Sequence, residues 1–117
     1  MLRILWRDER LIALHKPAGW LVHRTGLDAG ETRIVLQALR SQLGGQHVWP
    51  LHRLDKGTCG VLLLALDAAM ARQMGLAFAE GRVHKRYLAR VRGWLRDGVG
   101  PQAVVEVHRA YLDAGCD

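Results

Sequence analysis

One uninterrupted apolar run lies near the centre of the chain, over Val61–Leu66. Gly60 precedes the run and Asp67 follows it, and a short run with such ends is typical of a strand that is buried on both faces of a sheet. The run is too short to cross a bilayer, and charged residues interrupt the N-terminal segment after Trp6, which distinguishes it from a signal peptide. We therefore expect a cytoplasmic globular domain without membrane contact.

Apolar spacing predicts two helices and several shorter strands around this run. The first helix is predicted around Val35 and Leu39 and ends before Gly44. The second helix is predicted to begin after Asp67, whose side chain suits the N-cap, and to end at Gly81. The other predicted strands are Leu2–Trp6, Arg10–His15, Trp20–Val22, Val48–Leu51, Val83–Val91 and Val104–Leu112. This order predicts an α+β fold, a mostly antiparallel mixed sheet with both helices packed on one side.

The charge balance of the chain indicates the class of its partner. Seventeen Lys and Arg against eleven Asp and Glu give a formal net charge of +6. Excess positive charge favours nucleic acid or another anionic surface, because phosphate contacts release counterions and supply affinity whatever the sequence. A basic surface with no such partner explains the same balance. The two cysteines, Cys59 and Cys116, form no CxxC pair, which favours a reducing compartment over a disulfide framework.

A polar segment with many functional groups, His52–Gly60 (HRLDKGTCG), leads directly into the apolar run. Asp55 stands between Arg53 and Lys56, and adjacent cations favour the ionised carboxylate, which acts as a nucleophile or a base. A purely structural interpretation is that Asp55 pairs with Arg53 to order a turn that Thr58 caps. The residues by themselves leave both interpretations open.

Other chemistry in this segment receives less support. His52, Asp55 and Cys59 match no established zinc spacing, and the neighbouring cations repel a metal ion, so we predict no metal site. Cys59 with a histidine is a conceivable thiol nucleophile, but a small packing residue is the simpler interpretation. The four tryptophans are interpreted as packing residues, of which an exposed one can stack on a base.

Three segments in the same order resemble the RluA-type pseudouridine synthases. The segment HRLDKGTCG resembles the HRLDxxTSG motif around the family's catalytic aspartate, with Cys59 where the family has serine. Lys16–Gly19 resembles the KPAG segment, and Lys85–Gly93 resembles the KxYxAxVxG strand. The resemblance covers residues 3–95, and its wording at KPAGWLVHR and VRGWL is most similar to a branch of the family that modifies tRNA.

The resemblance implies a reaction and two catalytic residues. Uridine becomes pseudouridine when the N-glycosidic bond breaks, the base turns and the sugar is rejoined through carbon, which requires a nucleophile but no redox or metal cofactor. Asp55 is then the nucleophile. Tyr87 stacks on the target uracil and assists proton movement, and strand parity places it on the inward face, where a ring can line a pocket.

The resemblance also implies a set of residues that bind RNA or support the site. Arg53 faces the RNA and fills the space of the extruded base. His52 and Thr58 fix the loop, Lys16 supports the sheet or contacts backbone, and Arg86 on the basic face of its strand meets phosphates.

The family's members are considerably longer than this chain, so residues 1–95 are expected to be the N-terminal portion of a pseudouridine synthase catalytic domain. Residues 96–117 are expected to be a divergent or truncated tail, in which Arg109 is a weak candidate for the family's late basic residue. The expected partner is RNA, in particular tRNA, and no cofactor is expected. Two alternatives are a catalytically inactive RNA-binding fragment of such an enzyme and a basic domain that does not bind RNA.

Overall fold

The computed structural model describes residues 1–24, 26 and 30–90. Within them the strands are β1 (Arg3–Arg7), β2 (Leu11–Lys16), β3 (Trp49–Pro50) and β4 (Gly60–Ala65), and the helices are α1 (Val35–Gln42) and α2 (Ala68–Ala79). The predicted strand Val104–Leu112 and the whole of the predicted tail lie outside the described residues. The described elements confirm the α+β class and the antiparallel sheet.

The sheet is antiparallel throughout the described strands, in the order β1-β2-β4-β3. Strands β2 and β4 are its longest pair, in register from Leu11 opposite Ala65 to Lys16 opposite Gly60. Because side chains alternate between the two faces of a strand, Ile12, Leu14 and Lys16 share one face of β2. This register decides which side chains lie beneath the loop that enters β4.

The hydrophobic core lies on this face, where α1 covers the sheet. Leu14 and Leu62 are opposite each other across β2 and β4, and both are fully buried together with Val35 and Leu39 of α1. The first amides of α1 have no side-chain cap; instead they donate to the backbone carbonyls of residues 21 and 22, at 2.8 and 3.0 Å. The segment before the helix therefore supplies the hydrogen-bond acceptors that start it.

The opposite face of β4 is not fully covered, so the prediction of a strand buried on both faces is wrong. Val61 is 55% exposed and Leu63 is half-buried. Helix α2 contributes no residue to the core beside α1, and its Phe78 meets Val61 and Leu63 in a cavity on this second face. The two helices therefore lie on different faces, whereas both were expected on one side.

Helix α2 begins and ends where its sequence predicts. The Asp67 carboxylate accepts from the Met70 amide at 2.6 Å, which caps the first turn, and Gly81 at φ 70° terminates the helix. Arg10 donates to Asp67 at 2.9 Å, and this bond, with the cap, lowers the pKa of the carboxyl group. The contact ties the start of α2 to the turn between β1 and β2.

Two predicted strands are absent from the described residues. The segment Trp20–Val22 forms only a single parallel bridge, from Leu21 to Ile34, and residues 83–90 of the predicted strand Val83–Val91 form no strand. A strand exists only through its ladder, and alternation alone supplies no partner. The outermost strand beside β4 is the two-residue β3, and its Pro50 has no N–H to donate.

Candidate active site

The loop between β3 and β4 turns sharply at Asp55. Leu54 points into the core at 8% exposure, whereas Arg53 and Asp55 on either side of it are exposed. The Thr58 amide donates to the Asp55 carbonyl at 2.9 Å, which closes a turn with the carboxylate outside. An apolar anchor thus holds the centre of a segment whose polar neighbours face solvent.

A buried lysine supports this turn from below. Lys16 has no exposed surface, and its Nζ donates to the carbonyl oxygens of Thr58 at 2.7 Å, Pro17 at 3.1 Å and Lys56 at 3.3 Å. An ammonium carries three donors and no acceptor, so these carbonyls satisfy it fully. The side chain therefore joins the end of β2 to two loop positions, which are 40 and 42 residues further along the chain.

Burial disfavours the positive charge of Lys16. Burial lowers the pKa of Lys16 from 10.5 to about 8, against the opposing influence of Cys59 and Asp55, whose negative charge favours the ammonium. Asp55 is thus electrostatically coupled to the lysine beneath it. The ammonium is the predominant form at neutral pH.

A second brace holds the loop from the side. The Gly19 amide donates to the Lys56 carbonyl at 2.7 Å, and the Lys56 ammonium pairs with Glu31 at 3.1 Å. Glu31 also accepts from the Arg33 side chain at 3.2 Å. The hydrogen bonds from Arg33 and the pairing with Lys56 lower the pKa of Glu31 to about 2. This carboxylate therefore stays ionised and links the segment before α1 to the loop at Lys56.

His52 fastens the beginning of the loop to β4. Its Nε2 accepts from the Leu63 backbone amide at 3.1 Å, so the neutral ring carries its proton on Nδ1. The ring stacks on Phe78 of α2 with the centroids 5.3 Å apart. Burial, and then the positive charge of Lys85, lowers the pKa of His52 below its ordinary value.

A cavity of about 320 Å³ lies beside this histidine on the second face of the sheet. Its wall combines apolar side chains of β4 and α2 with a basic and aromatic side formed by the segment after α2. The lining residues are His52, Leu54, Cys59, Gly60, Val61, Leu63, Phe78, Val83, His84, Lys85, Arg86 and Tyr87. Its mixture of cations and rings suits an anionic ligand that carries a planar base.

Tyr87 connects this cavity to the turn. Its side chain lines the cavity and is 41% exposed. Burial, and then the negative charge of Asp55, raises the pKa of Tyr87, so the phenol keeps its proton at neutral pH. The carboxylate therefore acts on the phenol electrostatically, although Asp55 is not part of the cavity wall.

Comparison with known proteins identifies the family. The model of the RNA pseudouridylate synthase family matches residues 10–113. The chain belongs to the RNA pseudouridylate synthase family. Two solved human structures are similar to it. RNA Pseudouridylate Synthase Domain Containing 1 is 28% identical with a TM-score of 0.67 and covers 83% of this chain and 35% of its own. RNA Pseudouridylate Synthase Domain Containing 4 is 34% identical with a TM-score of 0.53, and its match covers 68% of this chain and 30% of its own.

Curated relatives are more similar in sequence. The tRNA pseudouridine synthase C of Yersinia pestis is 50% identical over 84% of this chain, and that of Pasteurella multocida is 55% identical over 80%. Each match covers 38% of the relative, so this family member spans about two fifths of the length of the curated relatives it matches.

The structure divides the predicted site residues of this synthase family member among three positions. His52, Arg86 and Tyr87 line the cavity, whereas Lys16 and Thr58 lie buried beneath the turn. Asp55 and Arg53 are exposed on the turn and are not part of the cavity wall. Asp55 is thus exposed on the turn, and its charge acts on both the buried Lys16 and the cavity-lining Tyr87.

Two structural interpretations of the loop are wrong. Among the ion pairs of the described residues none joins Asp55 to Arg53, and a backbone hydrogen bond from the Thr58 amide to the Asp55 carbonyl closes the turn instead. Thr58 does not cap the turn with its side chain, because its hydroxyl is buried and has no hydrogen-bond partner within the described ranges.

Cys59 is exposed on the cavity wall, so the packing interpretation of this residue is wrong as well. Alternation after the buried Thr58 turns the thiol outward. Over residues 1–24, 26 and 30–90, no three metal-ligating side chains cluster, and no helix is long and apolar enough to span a membrane.

Sequence reasoning missed Glu31 and Phe78. Glu31 lies in a segment without periodicity, and its partner Lys56 is distant in sequence, so no local pattern predicts the pair. Phe78 lies within the helix predicted after Asp67, and its position near the end of α2 does not indicate a site residue. The face of the helix on which it lies predicts burial but not the histidine that it stacks on.

Proposed function

We propose that this chain carries the nucleophile-bearing part of an RNA pseudouridine synthase that acts on tRNA. The family match and the curated relatives named tRNA pseudouridine synthase C support the reaction and the substrate class. The chain spans about two fifths of those relatives, so activity by this chain is part of the proposal. Residues 1–95 are the proposed catalytic portion and residues 96–117 a divergent tail, in a cytoplasmic protein.

The observation that carries the proposal is the presentation of Asp55. Its carboxylate is exposed at a turn that Lys16 holds from within the core, and it is electrostatically coupled to Tyr87 on the cavity wall. A fixed and accessible carboxylate beside a cavity of this composition suits nucleophilic attack on a nucleotide. The isomerisation leaves the composition and oxidation state of uridine unchanged, so it needs no redox cofactor.

The other site residues have distinct proposed roles. Tyr87 stacks on the uracil in the cavity and, because its raised pKa keeps it protonated, serves as a hydrogen donor to the turning base. Arg86 on the cavity wall binds phosphate, and the exposed Arg53 occupies the place of the extruded base. His52, Thr58 and Lys16 fix the loop.

Replacing Asp55 by Asn tests the nucleophile. The chain is assayed on unmodified tRNA labelled with tritium at carbon five of uracil, and tritium release reports pseudouridine formation. We expect D55N to abolish release while tRNA affinity stays within a few fold, because the amide keeps the shape but not the nucleophilicity. The matched control is Glu9→Gln, an exposed neutralisation in the turn between β1 and β2. Retained turnover by D55N would refute the assignment.

A chimera separates the nucleophile from the completeness of the fold. Residues 1–95 replace the corresponding part of the Yersinia pestis relative, with which this chain is 50% identical. An active chimera that D55N inactivates supports the proposed catalytic portion, even if the chain alone shows no turnover. An inactive chimera with full tRNA binding counts against it.

The second candidate function is RNA binding without catalysis. The share of the relatives that the chain spans favours it, because a shortened fold can retain a basic surface without a complete pocket. The net charge of +6 then supplies affinity that weakens as salt is raised. Salt-dependent tRNA binding by an inactive chain, together with an inactive chimera, distinguishes this function from the synthase. Affinity without salt dependence contradicts both.

A further inference from the structure

The sheet contains a ladder position that a side chain completes in place of a backbone carbonyl. Strand β3 pairs with β4 only through Trp49 and Pro50, and the Leu51 amide adds one more bond, to the Leu63 carbonyl at 3.0 Å. The Leu63 amide next needs an acceptor, and it receives His52 Nε2 at 3.1 Å. The chain therefore leaves the sheet at His52 while the ladder is still satisfied.

We propose that His52 is a pH-sensitive positioning residue for the Asp55 loop, acting through the Leu63 amide. This inference rests on the proposed function for its consequence, since the loop carries the proposed nucleophile. Two residues after His52, Leu54 enters the core. Arg53 and Asp55 are thus directed outward by two fixed points, the imidazole on β4 and the leucine beneath it.

The ring is held in the one orientation that lets Nε2 face β4. Phe78 stacks on it at an interplanar angle of 21°, and Lys85 Nζ lies 5.2 Å from the centroid of the Phe78 ring. A neutral imidazole has one donor and one acceptor, so the bond to Leu63 requires an unprotonated Nε2. Protonation makes both nitrogens donors and leaves a half-buried amide without its acceptor.

The surroundings of the ring oppose its protonation. Within the described residues, strand β4 and helix α2 contribute the apolar side chains of Val61, Leu63 and Phe78 to the cavity wall beside the ring, and the segment after α2 contributes cations. The titratable or charged groups on the same cavity wall are Cys59, His84, Lys85, Arg86 and Tyr87. Burial and the charge of Lys85 place the pKa of His52 below 6.5. The bond is therefore intact at neutral pH and lost on acidification.

Amide hydrogen exchange on the full chain tests the proposal without any RNA. We expect the protection factor of the Leu63 amide to fall about ten-fold as acidification from pH 7.5 protonates the His52 ring, which its own NMR signals follow, because one hydrogen bond is lost. The amide signal of Asp55 is expected to shift with the same midpoint. In His52→Gln the side-chain oxygen can accept from Leu63 without titrating, so both changes should disappear. His47→Gln, at an exposed histidine, should behave as the parent chain does.

Three results would overturn the inference. The first is a Leu63 protection factor that stays constant while the His52 ring goes from neutral to protonated. The second is an Asp55 signal that shifts equally in H52Q. The third needs no variant: nitrogen-15 shifts of the parent chain at neutral pH that place the His52 proton on Nε2 instead of Nδ1. None of these readouts depends on turnover, so failure of the synthase assay and failure of this inference are distinguishable.

Discussion

On the α1 face of the sheet, Leu14 and Leu62 meet across β2 and β4, and two positions further along the same face Lys16 occupies the equivalent site opposite Gly60. The leucines are fixed by contact area, which has no preferred direction. Lys16 is fixed by three directed hydrogen bonds to carbonyls of the loop that carries Asp55. One strand face thus changes from apolar packing to polar anchoring where the candidate site begins, and only the polar part can respond to pH or to charge.

The sharpest test of the apolar half is Leu62→Ala. Removing this fully buried side chain should lower the free energy of unfolding by ~2–5 kcal/mol, because transfer and cavity costs add. Val61→Ala, the next residue in the same strand, is 55% exposed and should cost less than ~1 kcal/mol. Urea titration followed by circular dichroism measures both. Equal losses of unfolding free energy in the two variants would contradict the difference in burial between the two faces of β4.

The polar half is tested by Lys16→Met, which keeps the length of the side chain and removes its donors. The carbonyls of Pro17, Lys56 and Thr58 lose a partner, and we expect a loss of ~1–3 kcal/mol of unfolding free energy. Lys56→Met removes an exposed ammonium and should cost clearly less. If K16M is as stable as the parent chain, the anchor contributes no net stability.

The same variant tests how the contribution of Lys16 to stability changes with pH. The pKa of Lys16 is about 8 in the folded chain and 10.5 for the ordinary side chain, so between these values the unfolded chain binds more protons. The stability of the parent chain relative to K16M should therefore rise as pH increases from about 8 to 10.5. Parallel unfolding titrations at several pH values measure this difference. A constant difference would contradict the buried charge.

A smaller effect is expected at the lateral brace. The pKa of Glu31 is lowered to about 2 by Arg33 and Lys56, so its contribution is present above its ordinary value of 4.5 and is lost as pH falls toward 2. Glu31→Gln should remove that acid-dependent part, and added salt should reduce the difference from the parent chain. Thermal unfolding at pH 6 and pH 3 checks this. A larger difference in stability between the parent chain and E31Q at pH 3 than at pH 6 would contradict this prediction.

The smallest change in stability is expected at Cys59→Ser, where the serine of the family motif replaces an exposed thiol. The free energy of unfolding should stay within ~0.5 kcal/mol of the parent value, because the side chain is not packed. Titration with a thiol-specific reagent should show rapid reaction at Cys59 in the folded chain. Slow reaction, or a large loss of stability in C59S, would support the packing interpretation instead.

Local patterns predicted the elements whose causes are local. The spacing of Val35 and Leu39 predicted α1, and Asp67 and Gly81 correctly marked the ends of α2. Two predictions depended instead on which segments meet across the sheet. These were that both helices pack on one side and that residues 83–90 form a strand. A sequence pattern does not contain that pairing, so these predictions were wrong.

In the candidate site, too, local features were predicted from the sequence and long-range contacts were not. The polar segment before β4 predicted the loop, and of the residues that the family resemblance implied, His52, Arg86 and Tyr87 line the cavity. The contacts of Lys16 with Lys56 and Thr58 span forty residues or more, and the bond from Leu63 to His52 depends on the end of β3. These supports of the loop became visible only in three dimensions, and the proposed roles of the site residues remain predictions.

The burial of Lys16 also bears on how the sheet chooses its pairing. A slip of β2 by one residue would turn Lys16 toward the other face and bring His15 beneath the loop, since side chains alternate along a strand. A neutral imidazole offers one donor, which cannot serve three carbonyls. The apolar side chains of β4 discriminate less between registers, because Val61–Leu66 places apolar residues on both faces of the strand. The buried ammonium therefore favours the observed register of β2 against β4 over a register shifted by one residue.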